Sequence, residues 1–415
     1  MKTYHTLNTK IEWIDLLNSI QEEAFTLIDS NDGNKILAWG CEDKIIQKQY
    51  NSLLLNKFEQ KHSADYIFGY LGYDAKNNFY KSEYSNNPDF HNFPESIFYV
   101  PQHILMIKNG SLMYFGTNKG FKQFNEIDSL KYNFTKKTKR VNLVCKSNYN
   151  TYKKNIELIH NHLQRGDIYE INYCLNFSVE NCRLNVLETY LKLKKNTKAP
   201  FSTFFKFNDT VILSASPERF FTKRNKTIIS QPIKGTAPRG TNSIKDKQIQ
   251  IDLLNNQKEI SENIMIVDLV RNDLSTIADK SSVSVPELCK LYSFETVHQL
   301  ISTVKAQIPK EITFSEIAKH IFPMGSMTGA PKLSAIKIIE GLETFKRNIY
   351  SGTIGYIDPL NNMDFNVVIR SIIHNTTLKT VSVSVGGAIT IKSTALLEYE
   401  ECMLKLKKIE ESIVV

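Results

Sequence analysis

The sequence predicts a mixed α/β fold of the α+β type, and three observations predict it. Short runs of β-branched and aromatic residues, such as Ile228-Ile229-Ser230 and Tyr66-Ile67-Phe68-Gly69-Tyr70-Leu71, recur between Gly, Pro and Asn punctuation, which is the pattern of strands. Asn109-Gly110 stands between two such runs, at 97–107 and 111–116, as the turn of a hairpin. Stretches at 149–164, 246–278 and 396–412 carry apolar residues three and four apart, the stripe of an amphipathic helix.

In order, a helical stretch is expected near Trp13–Asp29 and a strand at Lys35–Trp39. In Tyr66–Asp74 aromatics alternate with small residues, so that strand should pack against close backbone. The polar, Lys-rich segment 117–147 is the natural boundary, dividing an N-terminal region (1–140) from a second unit (145–415). After the helix at 149–164, strands follow at 200–207 and 211–215. Glu218 then falls in a tight Pro-led turn, Ser216-Pro217-Glu218-Arg219, where a surface acid is an equally good reading.

Lys234 falls where the strand of Ile228–Ile233 gives out, beside Gly235. Held against apolar walls, its pKa should drop and leave some free, nucleophilic amine. A lysine that snorkels or pairs with an acid is the other reading. One long helix is expected over 246–278, with Glu259 and Glu262 on one face. Glu398 and Glu401 repeat that spacing near the C-terminus. Two such pairs could meet around one hard cation such as Mg²⁺, although solvated helix faces show the same spacing. Between them, Phe322–Lys332 is a Gly-rich turn that opens a helix at Pro331, a start suited to an anion or a plain turn and cap. A strand at 365–373 contains Arg370, which is costly there unless paired and is a natural carboxylate receptor. Gly386-Gly387 interrupt a last strand at 381–391.

The bulk numbers exclude several classes. With 41% hydrophobic and 23% charged residues in 415, the chain reads as globular, with ample core for one large or two domains. The six cysteines are scattered, without metal or redox spacing. The net charge of +9 is spread as Lys among abundant Asn rather than clustered, so no nucleic-acid partner is expected. No stretch has the length and apolarity of a membrane span, and the first 30 residues do not resemble a leader, so a cytoplasmic protein is expected.

Six stretches then fall in one order: Ser216-Pro217-Glu218-Arg219-Phe220, Pro232-Ile233-Lys234-Gly235-Thr236, residues 261–274, Val297-His298-Gln299-Leu300-Ile301-Ser302-Thr303, Gly325–Lys332 and Glu398-Tyr399-Glu400-Glu401. In this the sequence resembles the chorismate-utilising enzymes, strongly over 145–410 and more weakly over 1–140. Within that family Lys234 and Val285-Pro286-Glu287-Leu288 are similar to the aminodeoxychorismate synthase component I branch. Anthranilate synthase component I and isochorismate or salicylate synthases are the alternatives.

The resemblance implies two facing antiparallel sheets with helices outside and a site deep between them. It implies chorismate as substrate, Mg²⁺ held by Glu262 and Glu401 with Glu259 and Glu398 beside them, and Lys405 facing the ring carboxylate. It implies Thr328, Tyr350, Arg370, Gly386 and Gly387 as further substrate contacts, although Ala388 stands where a third Gly is common. Lys234 would be the nucleophile, Glu218 a general acid or base, and His298 a neighbour of the ring hydroxyl. Ammonia would come from a glutamine amidotransferase subunit.

Overall fold

The computed structural model describes residues 2–7, 13–20, 22–30, 34–80, 85, 87–108, 110–125, 132, 141–145 and 147–415. Two antiparallel sheets carry the fold. The first runs Thr3–Thr6, Ser111–Gly116, His103–Lys108, Lys35–Trp39, Ala24–Ser30, Phe201–Phe207, Thr210–Ser216, Ser371–Asn375, Thr380–Ile389, Glu170–Val179 and Gly329–Ala330. The second runs Ile233–Pro238, Val297–Gln307, Thr227–Ser230, Arg219–Arg224, Met363–Val367, Thr353–Ile357, Ile67–Leu71, Ser96–Val100 and Asp43–Gln47. Strands from the first 116 residues therefore complete both sheets.

Side chains alternate across a strand, so the first sheet serves two cores. Phe205, Phe207 and Ile212 belong to the core between the sheets, where Tyr70 meets Phe205 edge-on with ring centroids 5.5 Å apart. Phe204, Val211, Leu213 and Ala215 face the other way, in a core shared with Tyr152, Leu193 and Leu406 of the helices Tyr149–Arg165, Val186–Thr197 and Ala395–Glu410. The fold class and the facing sheets thus match expectation.

The abundant asparagines have a structural use. Asn51, Asn148, Asn185, Asn242 and Asn256 each start a helix, their side chains accepting N–H groups two or three residues on. Asn256 also corrects the expected single helix over 246–278. The chain leaves the helix there and restarts, giving Ser243–Leu254 and Gln257–Ser275. The helix expected over Trp13–Asp29 ends at Ser19, because Ala24–Ser30 is claimed as a strand by partners on both sides. The run 97–107 is also two strands, one in each sheet. His103–Lys108 alone pairs with Ser111–Gly116, and the turn residue Asn109 lies outside the described residues. Most of 117–147 lies outside them too, apart from the helix Asn118–Asn125 and the short strand Val144–Cys145.

Arg370 brings the correction that matters most for the site. It is not inside a strand. Met363–Val367 belongs to the second sheet and Ser371–Asn375 to the first, so the chain crosses between sheets through Arg370, which sits at φ +52°. A non-glycine residue in that left-handed region carries strain that the surroundings must hold.

Candidate active site

Lys234 is the second residue of Ile233–Pro238, and Gly235 after it turns the backbone to φ +83°. A side chain at 235 would meet Glu259 and Leu300 at 3.2 Å, so glycine lets the strand lie against the acidic helix Gln257–Ser275. Asn263 fastens that helix to the sheet. Its amide donates to the carbonyls of Leu300 (3.2 Å) and Lys234 (3.5 Å), and its oxygen accepts from Ser302.

The Lys234 ammonium donates to Glu170 Oε1 at 2.5 Å. Glu170 begins a strand of the first sheet, so this ion pair spans the gap between the sheets. Burial pushes the Lys234 pKa down, but Glu170, helped by Glu262 and Glu218, outweighs it and holds the group above its ordinary value. The expected free amine is therefore overturned: Lys234 stands here as a paired ammonium. Sequence reasoning misses Glu170, whose one signal is a lone acid in the apolar run Ile168–Cys174.

Glu218 is 7% exposed in the turn between Thr210–Ser216 and Arg219–Arg224, its N–H donating to Ser216 Oγ. Burial pushes its carboxyl to about 7, against the opposing pull of Ser326 and Lys234. Glu262 is likewise raised to about 7, first by burial, with Glu170 and Glu259 adding to it against Lys234 and Lys258. Its Oε1 is buried without a hydrogen-bond partner, the nearest cation being Lys258 Nζ at 3.8 Å.

The second half of the site belongs to the C-terminal helix Ala395–Glu410 and the strand Thr380–Ile389. Glu398 accepts from Lys258 at 3.3 Å, which ties the two acidic helices together. Burial raises Glu259, and Glu401 and Glu398 raise it further, as expected of facing carboxylates. Glu401, its side chain half exposed, falls below its ordinary value because Lys405 lies 2.7 Å away and outweighs the opposing desolvation. Lys405 also donates to the Gly386 carbonyl at 2.8 Å. A Cβ at Gly386 would lie 2.5 Å from Cys174 Sγ, so that strand passes too close for any side chain. Gly387 lies under Glu398, whose Oε2 would be 3.5 Å from a Cβ there.

Tyr350 and Arg370 complete this half. Tyr350 is 3% exposed, its hydroxyl 3.7 Å from Cys174 Sγ. Burial pushes the Arg370 guanidinium below its ordinary value, with Tyr350 and Glu401 the groups that favour its charge. Among the described residues it has no hydrogen-bonded acceptor. Two expected members are engaged elsewhere. His298 is fully buried with Nε2 on Asp246 (2.9 Å) and Nδ1 on Ser293 (2.8 Å), and Thr328 donates to the Met324 carbonyl at 3.1 Å.

Among the described residues no three acidic, His or Cys side chains converge on one point. The donor set nevertheless fits a hard cation in kind. Glu262 and Glu259 on one helix face Glu398 and Glu401 on another, and the Oε1 of Glu262 is buried without a hydrogen bond.

A family model of chorismate binding enzymes matches residues 11–411. Aminodeoxychorismate synthase component 1 of Escherichia coli (strain K12) is 38% identical over 259 residues, 62% of this chain and 56% of that protein. The chain thus spans a little over half the length of the curated relative it matches. Anthranilate synthase component I from Streptococcus pneumoniae TIGR4 superposes with a TM-score of 0.80 at 25% identity, covering 91% of this chain and 92% of that one. The menaquinone-specific isochorismate synthase of Escherichia coli shares the fold, with a TM-score of 0.83 at 15% identity, covering 99% and 94%. No described helix is long and apolar enough to cross a membrane. With nearly its whole length under the family match, the chain belongs to the chorismate binding enzymes.

Proposed function

We propose that the chain is the aminating component of a cytoplasmic aminodeoxychorismate synthase, converting chorismate and ammonia to 4-amino-4-deoxychorismate on the route to 4-aminobenzoate and folate. One observation carries this reading: a lysine, Lys234, sits at the heart of the inter-sheet site, 2.5 Å from Glu170 and facing Glu218 and Glu262.

Lys234 Nζ, once deprotonated, adds to ring C2. The two conjugated ring double bonds shift in relay, C1=C2 to C1=C6 and C5=C6 to C4=C5, and the C4–O bond breaks. Glu218, raised to about 7, supplies the proton with which the hydroxyl leaves as water. Ammonia then bonds to C4 and gives its extra proton to the Glu218 carboxylate, both double bonds shift back, and the C2–N bond breaks to return the lysine. Arg370 and Tyr350 receive the enolpyruvyl carboxylate, the guanidinium supplying two parallel donors that nothing else in the described chain uses. Lys405 faces the ring carboxylate beside Gly386 and Gly387. The tied side chains of His298 and Thr328 serve best by holding the walls. Glu262 and Glu401, with Glu259 and Glu398, would hold Mg²⁺, which when bound neutralises the ring carboxylate and eases loss of the hydroxyl.

The test is turnover of chorismate with Mg²⁺ and ammonium, read by product mass. The expected product keeps its pyruvyl group. Loss of pyruvate would assign the chain to anthranilate synthesis instead, the activity named for the 25%-identical structure. Glutamine should not replace ammonium for the purified chain, since a glutamine amidotransferase subunit supplies the ammonia. Without ammonia, intact mass should reveal an adduct that maps to Lys234. In Lys234→Ala the adduct should vanish and ammonia should enter at C2. If neither change is seen, the covalent route is wrong.

A further inference from the structure

We propose that Glu170 is the positioning residue of Lys234: it aims the ammonium, holds its proton, and so sets the pH at which the amine becomes available to a substrate. Glu170 is 1% exposed, its backbone anchored opposite Ala330 in the first sheet. Oε1 accepts from Lys234, which comes from the other sheet, and Oε2 is buried with no partner.

Two carboxylates that brace this fold are satisfied more fully, although Asp74, which accepts the Asn348 N–H, also keeps one bare oxygen. Glu343 accepts from Arg347 through both oxygens and from the Cys174 N–H. Asp246 accepts from Arg239, the Gly240 N–H and His298. A buried carboxylate with one bare oxygen is expensive to keep, and Glu170 differs from Asp74 in spending its one bond on a lysine of the opposite sheet. Placed on the nucleophile, it has a use. An ionised Glu170 favours the ammonium, whereas burial favours the free amine, and these two act most strongly on Lys234. The other groups facing Lys234 are Glu262 and Glu259 from the acidic helix and Glu218 from the strand turn, all acidic and all on the side of the ammonium. Glutamine at 170 keeps the shape and an acceptor oxygen but removes the charge, leaving burial with fewer opponents.

The consequence for turnover rests on Lys234 being the nucleophile, but its protonation does not, and the experiment separates the two. The full chain, as wild type, Glu170→Gln and Glu170→Asp, is treated with cyanate over a range of pH. The rate of Lys234 carbamylation is then followed by peptide mass mapping. In Glu170→Gln the midpoint should fall by at least about one pH unit, roughly tenfold more free amine at any lower pH. Glu170→Asp should stay near the wild type. Coincident wild-type and Gln profiles, or a shift to higher pH, overturn the proposal. So does a wild-type midpoint below the ordinary lysine value, a measurement that needs no variant to fold. In amination the acid limb of the pH–rate profile should move with the carbamylation midpoint. If carbamylation shifts and the amination profile does not, Glu170 keeps its role and Lys234 loses the part of nucleophile.

Discussion

Two arginines, Arg347 buried and Arg370 half-buried, show how this molecule divides its polar interior. Arg347 is 3% exposed, and every direction of its fork is answered: Glu343 takes Nε and Nη2, the Asn172 carbonyl takes Nη2 at 2.8 Å, and the Met327 carbonyl and Ser351 Oγ take Nη1 at 2.7 and 3.3 Å. It locks the loop of Met324–Thr328 to the strand Glu170–Val179. Arg370, half-buried, has no acceptor among the described residues and sits on strained backbone. The same contrast separates Glu343 from Glu262 and Glu170, whose bare oxygens lie around Lys234. Satisfied groups here make scaffold. Among the unsatisfied ones, Glu170, Glu262 and Arg370 lie where a dicarboxylate and a cation would complete them.

Exchanging the two arginines for methionine breaks or upholds this contrast. Arg347→Met leaves Glu343 buried and unpaired, and the loss of one partner costs about 3–5 kcal/mol of stability. Arg370→Met should leave the urea midpoint unchanged or higher while weakening chorismate binding by about 2–5 kcal/mol. Arg370→Lys, which keeps the charge without the fork, should fall between the methionine variant and the wild type in binding. A stable Arg347→Met or an unfolded Arg370→Met would erase the distinction.

Glu262→Gln and Glu401→Gln sharpen it further. Each should keep the fold, by circular dichroism, yet lose Mg²⁺-dependent turnover by at least about 100-fold, the upper end of what outer-shell changes cost. Normal rates in both would remove the acidic helices from the reaction.

A further effect is on stability against pH. Glu218 and Glu262 have folded pKa values raised to about 7, above the ordinary 4.5. Their contribution is therefore complete below the ordinary value and lost as pH rises through about 7. Without Mg²⁺ the melting temperature should be higher near pH 5 than near pH 8. Between the ordinary and the raised pKa, each such carboxyl removes up to about 1.4 kcal/mol for every pH step of one. Glu262→Gln should flatten part of that slope, and an unchanged slope would show that Glu262 is not the buried acid described.

Local signals carried the strands around Phe201–Ser216, the helix read at 149–164, and the Glu-x-x-Glu faces of two helices. Ordered motifs carried the family and the two facing sheets. What failed was non-local. Ala24–Ser30 looks helical beside Trp13–Ser19 until strands near 37 and 204 claim it. Nothing around Arg370 says that its neighbours on either side belong to different sheets. The charge of Lys234 depends on an acid 64 residues upstream, across a gap no local pattern describes. Asn256 was legible in principle as a cap, but the apolar stripe on either side concealed the break.

The crossing at Arg370 ties recognition to mechanics. The residue that would grip the substrate's carboxylate is also the rivet through which one sheet continues into the other, flanked by Val367 in the second and Ser371 in the first. A load placed on that guanidinium is shared by both sheets at once. Amide exchange along Met363–Val367 and Ser371–Asn375 should accordingly slow together when the anion seats, as two leaves of a hinge stiffen on a single pin.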